Sequence, residues 1–192
     1  MATMTRIDIS NDVNMLMQNL EDKNRPLVSP AAALKLSMTW PVACVMGYVL
    51  ALLWMAYSFT PEQDLFGNNV YFSDKMQFEM FATGITVLSA LGVGASLYNS
   101  ALVYLSFDEN TRNNSFIINR IRKLTGLMGL GAVIVNWGVA LVGAVIEPKV
   151  IGISTLVFLL SILVIQMVIS AELTRYGIAG AMSKLARLIK KI

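Results

Sequence analysis

Four stretches of this chain, residues 38–60, 80–107, 124–146 and 150–171, contain no Asp, Glu, Lys or Arg. This feature constrains the fold more than any other. The hydrocarbon layer of a bilayer is about 30 Å thick, and a helix crosses it in about 20 residues. A backbone in lipid has no water to bond to, so an apolar run of that length must satisfy its own hydrogen bonds as a helix. Composition agrees: only 14% of the 192 residues are charged, against about 25% in soluble proteins, and the mean hydropathy is +0.63. The expected fold is all-α: a polytopic membrane protein with four transmembrane helices at 38–171. A polar segment, 1–37, precedes it and a basic tail, 172–192, follows. Residues 1–37 have neither the short apolar core nor the small-residue cleavage site of a signal peptide, so the spans themselves are expected to direct insertion.

Basic residues give the spans a direction. Thirteen of the fifteen Lys and Arg lie in the N-terminal segment, in the loop between spans two and three (Arg112, Arg120, Arg122, Lys123) and in the tail. With four spans these three regions share one side. The excess of positive charge on cytoplasmic loops then puts both termini in the cytoplasm of a bacterium, with the spans in its inner membrane.

The polar segments carry further patterns. Residues 9–20 place Ile9, Val13, Leu16, Met17 and Leu20 on one helical face, expected to lie on the inner leaflet or on a partner. Ser29-Pro30 reads as an N-cap followed by proline at the first helical position. Thr60-Pro61-Glu62-Gln63 reads as a single capped helical turn, and Gly67-Asn68-Asn69 as a turn. In the tail, Lys184, Arg187, Lys190 and Lys191 oppose an apolar face. That arrangement suits an anionic lipid surface, where each cation contributes about 1 kcal/mol. Because the tail's apolar face is committed to lipid, direct nucleic-acid contact is not expected.

Inside the spans the pattern is one of small residues. Ala82, Thr86, Ala90 and Gly94 recur every four residues in span two, with Gly92, Ser96, Asn99 and Ser100 extending the surface. Gly129, Ala132, Asn136, Ala140 and Gly143 form a second stripe in span three. Lipid tails are as apolar as leucine, so helices in a membrane associate through close packing and buried hydrogen bonds, which small residues permit. Asn99, Asn136 and Gln166 are the most polar side chains in the spans and should each seek a partner on another helix. Trp137 and Tyr98, in mid-span, should pack between helices. Cys44 reads as a small buried packing residue.

Several function classes lose their chemistry. The chain has no histidine and one cysteine, so histidine metal sites, histidine general bases and internal disulfides are out. No ionisable residue lies at depth in a span, where coupled transporters place theirs. No cluster of nucleophile, acid and base suggests an enzyme. No cofactor or metal site is expected, and what remains is a subunit that works by contact.

The run Gly126-Leu-Met-Gly-Leu-Gly-Ala-Val-Ile-Val-Asn-Trp-Gly-Val-Ala-Leu-Val-Gly143 resembles the third span of small inner-membrane proteins of Dot/Icm-type secretion systems. These are the DotE/IcmC group and the TraQ-type proteins of IncI-like conjugation systems. Met46-Gly47-Tyr48-Val49-Leu50 in span one and the Gly-Val-Gly of span two are similar in character. The pattern extends over residues 40–180, although Asn136-Trp137-Gly138 stands where the group has Arg-Gly-Trp. The resemblance implies a structural subunit of a type IV secretion or conjugation machine, with assembly into a pilus as one form. Two other readings stay open on the residues alone: a holin-like or pore-forming protein, and a small-solute channel or transporter subunit lined by Asn99, Asn136 and Gln166.

Overall fold

The structure, a computed structural model, describes residues 6–21, 27–63, 66 and 68–175. Seven α-helices occur among them: α1 (Arg6–Glu21), α2 (Pro30–Ser58), α3 (Phe72–Lys75), α4 (Gln77–Leu105), α5 (Glu109–Asn114), α6 (Phe116–Val145) and α7 (Ser154–Arg175). Helices α2, α4, α6 and α7 are the four long and apolar enough to cross a membrane, the last together with the 3-10 turn Pro148–Ile153 that leads into it. The fold is all-α, as the apolar runs require. A helix of 29 residues, such as α2 or α4, is about 43 Å long at 1.5 Å per residue. That exceeds the hydrocarbon layer; α2 begins eight residues before its charge-free run, whereas α4 begins only three residues before its own.

The ends of the elements follow local chemistry. Helix α2 starts at Pro30, and the Ala33 amide donates to the Ser29 carbonyl at 3.2 Å, where proline has no amide to lose. Helix α6 starts eight residues before its apolar run because Ser115 caps it: the Ile118 amide donates to Ser115 Oγ at 3.2 Å. The fourth apolar run opens not as α-helix but as the 3-10 turn at Pro148–Ile153, with proline in its first position. Pro41 stays inside α2. A proline there leaves the carbonyl four residues earlier, that of Ser37, without its helical donor.

One sequence expectation is corrected. Thr60-Pro61-Glu62-Gln63 is not a helical turn: Glu62–Gln63 pair antiparallel with Asn69–Val70, Glu62 opposite Val70 and Gln63 opposite Asn69. The backbone hydrogen bonds of a two-residue ladder replace those of a lone helical turn, which is costly to nucleate. The apolar face of helix α1 packs on the chain itself: Leu16 is buried and Ile9, Val13 and Met17 are partly buried against Phe107, Ile117 and Ile118. The tail beyond Arg175, with Lys184, Arg187, Lys190 and Lys191, lies outside the described residues.

Contacts divide the chain into two units. The first comprises residues 1–37, 95–128 and 164–192. Its core is Leu16 of α1 against Phe107, Ile117 and Ile118, flanked by Ile9, Val13, Met17, Val103, Tyr104 and Ile121. Two polar clasps hold α1 there. Asp12 Oδ2 accepts from Ser115 Oγ and from the Ile117 amide, both at 2.9 Å, at the start of α6. Asn19 donates to Asp108 Oδ2 at 2.9 Å and accepts from the Asp108 amide at 3.2 Å. Arg120 also reaches Glu172 of α7 at 3.1 Å.

The second unit comprises residues 38–94 and 129–163. Tyr48, Ala51 and Met55 of α2 meet Ala140 of α6 and Ile151 in its core. Large side chains here sit where glycines would otherwise leave gaps: Trp137 on Gly47, Met38 on Gly94, Trp40 on Gly129, Ile151 on Gly143 and Phe78 on Gly152. A Cβ on Gly129 would come within 2.5 Å of the Trp40 ring, and one on Gly143 within 2.5 Å of Ile151 Cγ1. By contrast, Gly131 and Gly138 of α6 have nothing within 4 Å of that position.

This contrast gives a test. Gly129→Ala should destabilise the protein by about 1–3 kcal/mol, the usual cost of overpacking, because an indole ring cannot yield as a flexible side chain can. Gly131→Ala should change stability by less than about 0.5 kcal/mol. Unfolding of both variants in mixed micelles measures the difference, and equal effects would contradict the packing described.

Candidate functional site

The polar groups of the second unit are gathered where helices meet. Asn136, fully buried in α6, is the hub of one network. Its Oδ1 accepts from the Tyr48 hydroxyl of α2 at 3.0 Å. Its Nδ2 donates to the Ala132 carbonyl at 2.8 Å and to Ser161 Oγ of α7 at 3.1 Å. The Ser161 hydroxyl in turn donates a hydrogen bond to the Val157 carbonyl at 2.8 Å. One amide thus ties three helices together, with both of its donors used. A second network joins α4 to α7: Thr86 Oγ1 donates to the Ala82 carbonyl at 2.8 Å and lies 2.9 Å from Ser154 Oγ and 2.8 Å from Thr155 Oγ1. A third link is Trp137, whose indole N–H donates to the Ala43 carbonyl at 2.8 Å while its ring lies over Gly47.

The two small-residue stripes fall on these buried faces. Ala82, Thr86, Ala90 and Gly94 are buried, as are Gly129, Ala132, Asn136, Ala140 and Gly143. Thr86 and Asn136 lie within the stripes themselves, and large side chains of facing elements fill the space at Gly94, Gly129 and Gly143, so the stripes and the networks belong to one arrangement. Cys44 is fully buried among them.

The other polar span residues behave differently. Asn99 of α4 and Gln166 of α7 are exposed and bond to no described residue. Gly92, Ala95, Ser96 and Ser100 of α4 are also exposed. Five of the ten described glycines, Gly84, Gly92, Gly126, Gly131 and Gly138, have open space where a side chain would stand. Helix α7 exposes Leu156, Leu159, Leu160, Leu163, Val164 and Met167, and the first half of α4 exposes Phe81, Ile85, Leu88 and Leu91.

Tyr48, Ser154, Thr155 and Ser161 were not singled out from the sequence, although all four complete the networks. The available signal was a hydroxyl inside an apolar run, with Ser154 and Ser161 seven residues apart and so on one face of α7. Glu79, one residue before the second charge-free run, is a buried residue in the first turn of α4. One turn on, the Thr83 hydroxyl is buried without a hydrogen-bond partner. Among the described residues no group of three His, Cys, Asp or Glu could hold a metal. The chain matches no family model, no curated protein and no solved structure.

The Asn136 hub predicts a specific coupling. Asn136→Leu strands the Tyr48 hydroxyl and removes the donor to Ser161 Oγ, and should cost about 1–2 kcal/mol. Tyr48→Phe should cost less, since Asn136 keeps its other bonds. The double variant should be more stable than the sum of the two losses implies, by about 0.6 kcal/mol, the typical worth of such a bond in a membrane. Reversible unfolding of all four proteins measures it; strict additivity would mean that the bond contributes nothing.

Proposed function

We propose that the chain is a structural or assembly subunit of a bacterial envelope complex that works by helix–helix packing in the membrane. A type IV secretion or conjugation machine is the specific candidate, and a pilus-related role one form of it. The observation that carries this reading is the contrast between two exposed helix surfaces. The large aliphatic side chains of α7 suit lipid. The first half of α4 likewise exposes Phe81, Ile85, Leu88 and Leu91, but its second half exposes Gly92, Ser96 and Ser100, spaced four apart, together with Asn99. Glycine at such spacing permits close backbone approach, and an amide in hydrocarbon gains from a partner on another helix. The protein fills half of its described glycines with its own side chains and leaves the other half open. A surface of that kind fits a neighbouring helix better than it fits acyl chains.

The secretion and conjugation assignment rests on the span-three resemblance and on the small size of the parts outside the spans. Pore formation and solute transport have less support. Asn136, the polar side chain best placed for a wet path, is fully buried and its donors are spent on Ala132 and Ser161. Under this reading the protein sits in the inner membrane with both ends of the chain in the cytoplasm, as the distribution of basic residues implies.

In several mild detergents the wild type should migrate as a species larger than the monomer. Gly92→Leu and Asn99→Leu should each shift it toward monomer while leaving its melting temperature within a few degrees. A wild-type monomer in every detergent would remove the assembly reading. Loss of membrane potential on induction, with no oligomer, would favour a pore instead.

A further inference from the structure

Arg112 is an arginine whose guanidinium makes no hydrogen bond or ion pair among the described residues. It lies in α5, the short helix between α4 and α6, and its guanidinium carbon is 5.5 Å from the centre of the Tyr104 ring at the end of α4. Its Nε is buried without a hydrogen-bond partner, and no described residue accepts a hydrogen bond from its other nitrogens or pairs with its charge. The acids nearest to it among the described residues do not pair with it. Asp108 is held by Asn19, Glu172 is taken by Arg120 and Arg175, and Glu109, three residues before Arg112, makes no ion pair with it. Arg122 and Lys123, exposed in the second turn of α6, have no carboxylate partner among the described residues either. Cations outnumber anions in this segment, and one of them is fixed by an aromatic ring with its donors unused.

An arginine offers five donors in a planar fork that matches two oxygens of a phosphate. A tyrosine at the end of a spanning helix marks the depth of the headgroups. An unpaired guanidinium stacked on such a ring lies where lipid phosphates are, and stacking fixes its plane in advance, so less side-chain freedom is lost on binding. We propose that Arg112, held on Tyr104, is a binding point for the phosphate of an anionic lipid headgroup in the inner leaflet, phosphatidylglycerol being the probe of that class. Arg122 and Lys123 supply the general attraction that each near-surface cation adds, whereas Arg112 supplies the site. The inference rests on the orientation given above, which puts α5 at the cytoplasmic face.

The test uses the full chain in neutral detergent. Short-chain phosphatidylglycerol, phosphatidylcholine and inorganic phosphate are titrated separately, and the melting temperature is followed by tryptophan fluorescence. Phosphatidylglycerol should raise it saturably, and the other two should not. Arg112→Gln should move the midpoint to about tenfold higher lipid, the effect of losing one charge-assisted pair. Arg112→Lys keeps the charge without the fork and should fall between, which preserves the test if the glutamine variant does not fold. Arg122→Gln should shift the midpoint by less than about threefold. An unchanged midpoint in Arg112→Gln and Arg112→Lys would overturn the site. So would an equal loss in Arg122→Gln, or a full response to inorganic phosphate alone. Orientation is tested separately by labelling Asn114→Cys, in a Cys44→Ala background, with a membrane-impermeant thiol reagent in intact spheroplasts. Labelling from outside would overturn the orientation, and with it the inner leaflet, whether or not the lipid titration succeeds.

Discussion

The close approach of helices at glycine is the constraint on which the second unit depends. In lipid the hydrophobic effect no longer drives one apolar helix onto another, so association relies on packing and on short polar bonds. Both require the backbones to come near. Trp40 on Gly129, Trp137 on Gly47 and Ile151 on Gly143 provide that nearness by filling the space a side chain would have taken. Once the helices are close, Thr86 can reach Ser154, and Asn136 can reach Tyr48 and Ser161. The polar networks are a consequence of the glycines, and they fix the register that the glycines alone would leave loose.

The first unit is held differently. Its helix α1 is amphipathic and docks by the means a soluble protein would use: one buried leucine, a carboxylate at a helix start and a reciprocal amide–carboxylate pair. Asp12 serves the end of α6 twice over, through the Ile117 amide and through Ser115, and a negative group there also matches the helix dipole.

Much of this was legible in the chain, for definable reasons. The four spanning helices announced themselves because lipid forbids charge over a fixed length. The stripes 82–94 and 129–143 could be read because residues three or four apart share a face, and small ones in a span have few other uses. The partners of the glycines could not be read, because which tryptophan meets which glycine depends on the relative register of two helices. Asn99, Asn136 and Gln166 look alike in sequence, yet among the described residues only Asn136 has partners. The docking of α1 was hidden because Asp12 and Asn19 pair with residues about a hundred positions away. The 62–63 and 69–70 ladder was missed because Thr60-Pro61-Glu62-Gln63 has good local helix chemistry that the pairing overrides.

What the chain leaves open is as informative as what it fills. Gly92 and Asn99 face outward from a helix meant for lipid, while α7 turns leucines to the same kind of surroundings. If the account is right, another helix covers α4 in the cell. The most direct measurement is photo-crosslinking in living cells, with a photoreactive amino acid at position 92 or 99 of α4 and, for comparison, at Leu160 of α7. Discrete protein adducts from positions 92 and 99, with none from 160, are the result expected. Lipid-only labelling at all three positions would contradict the claim that this protein functions through what its helices touch.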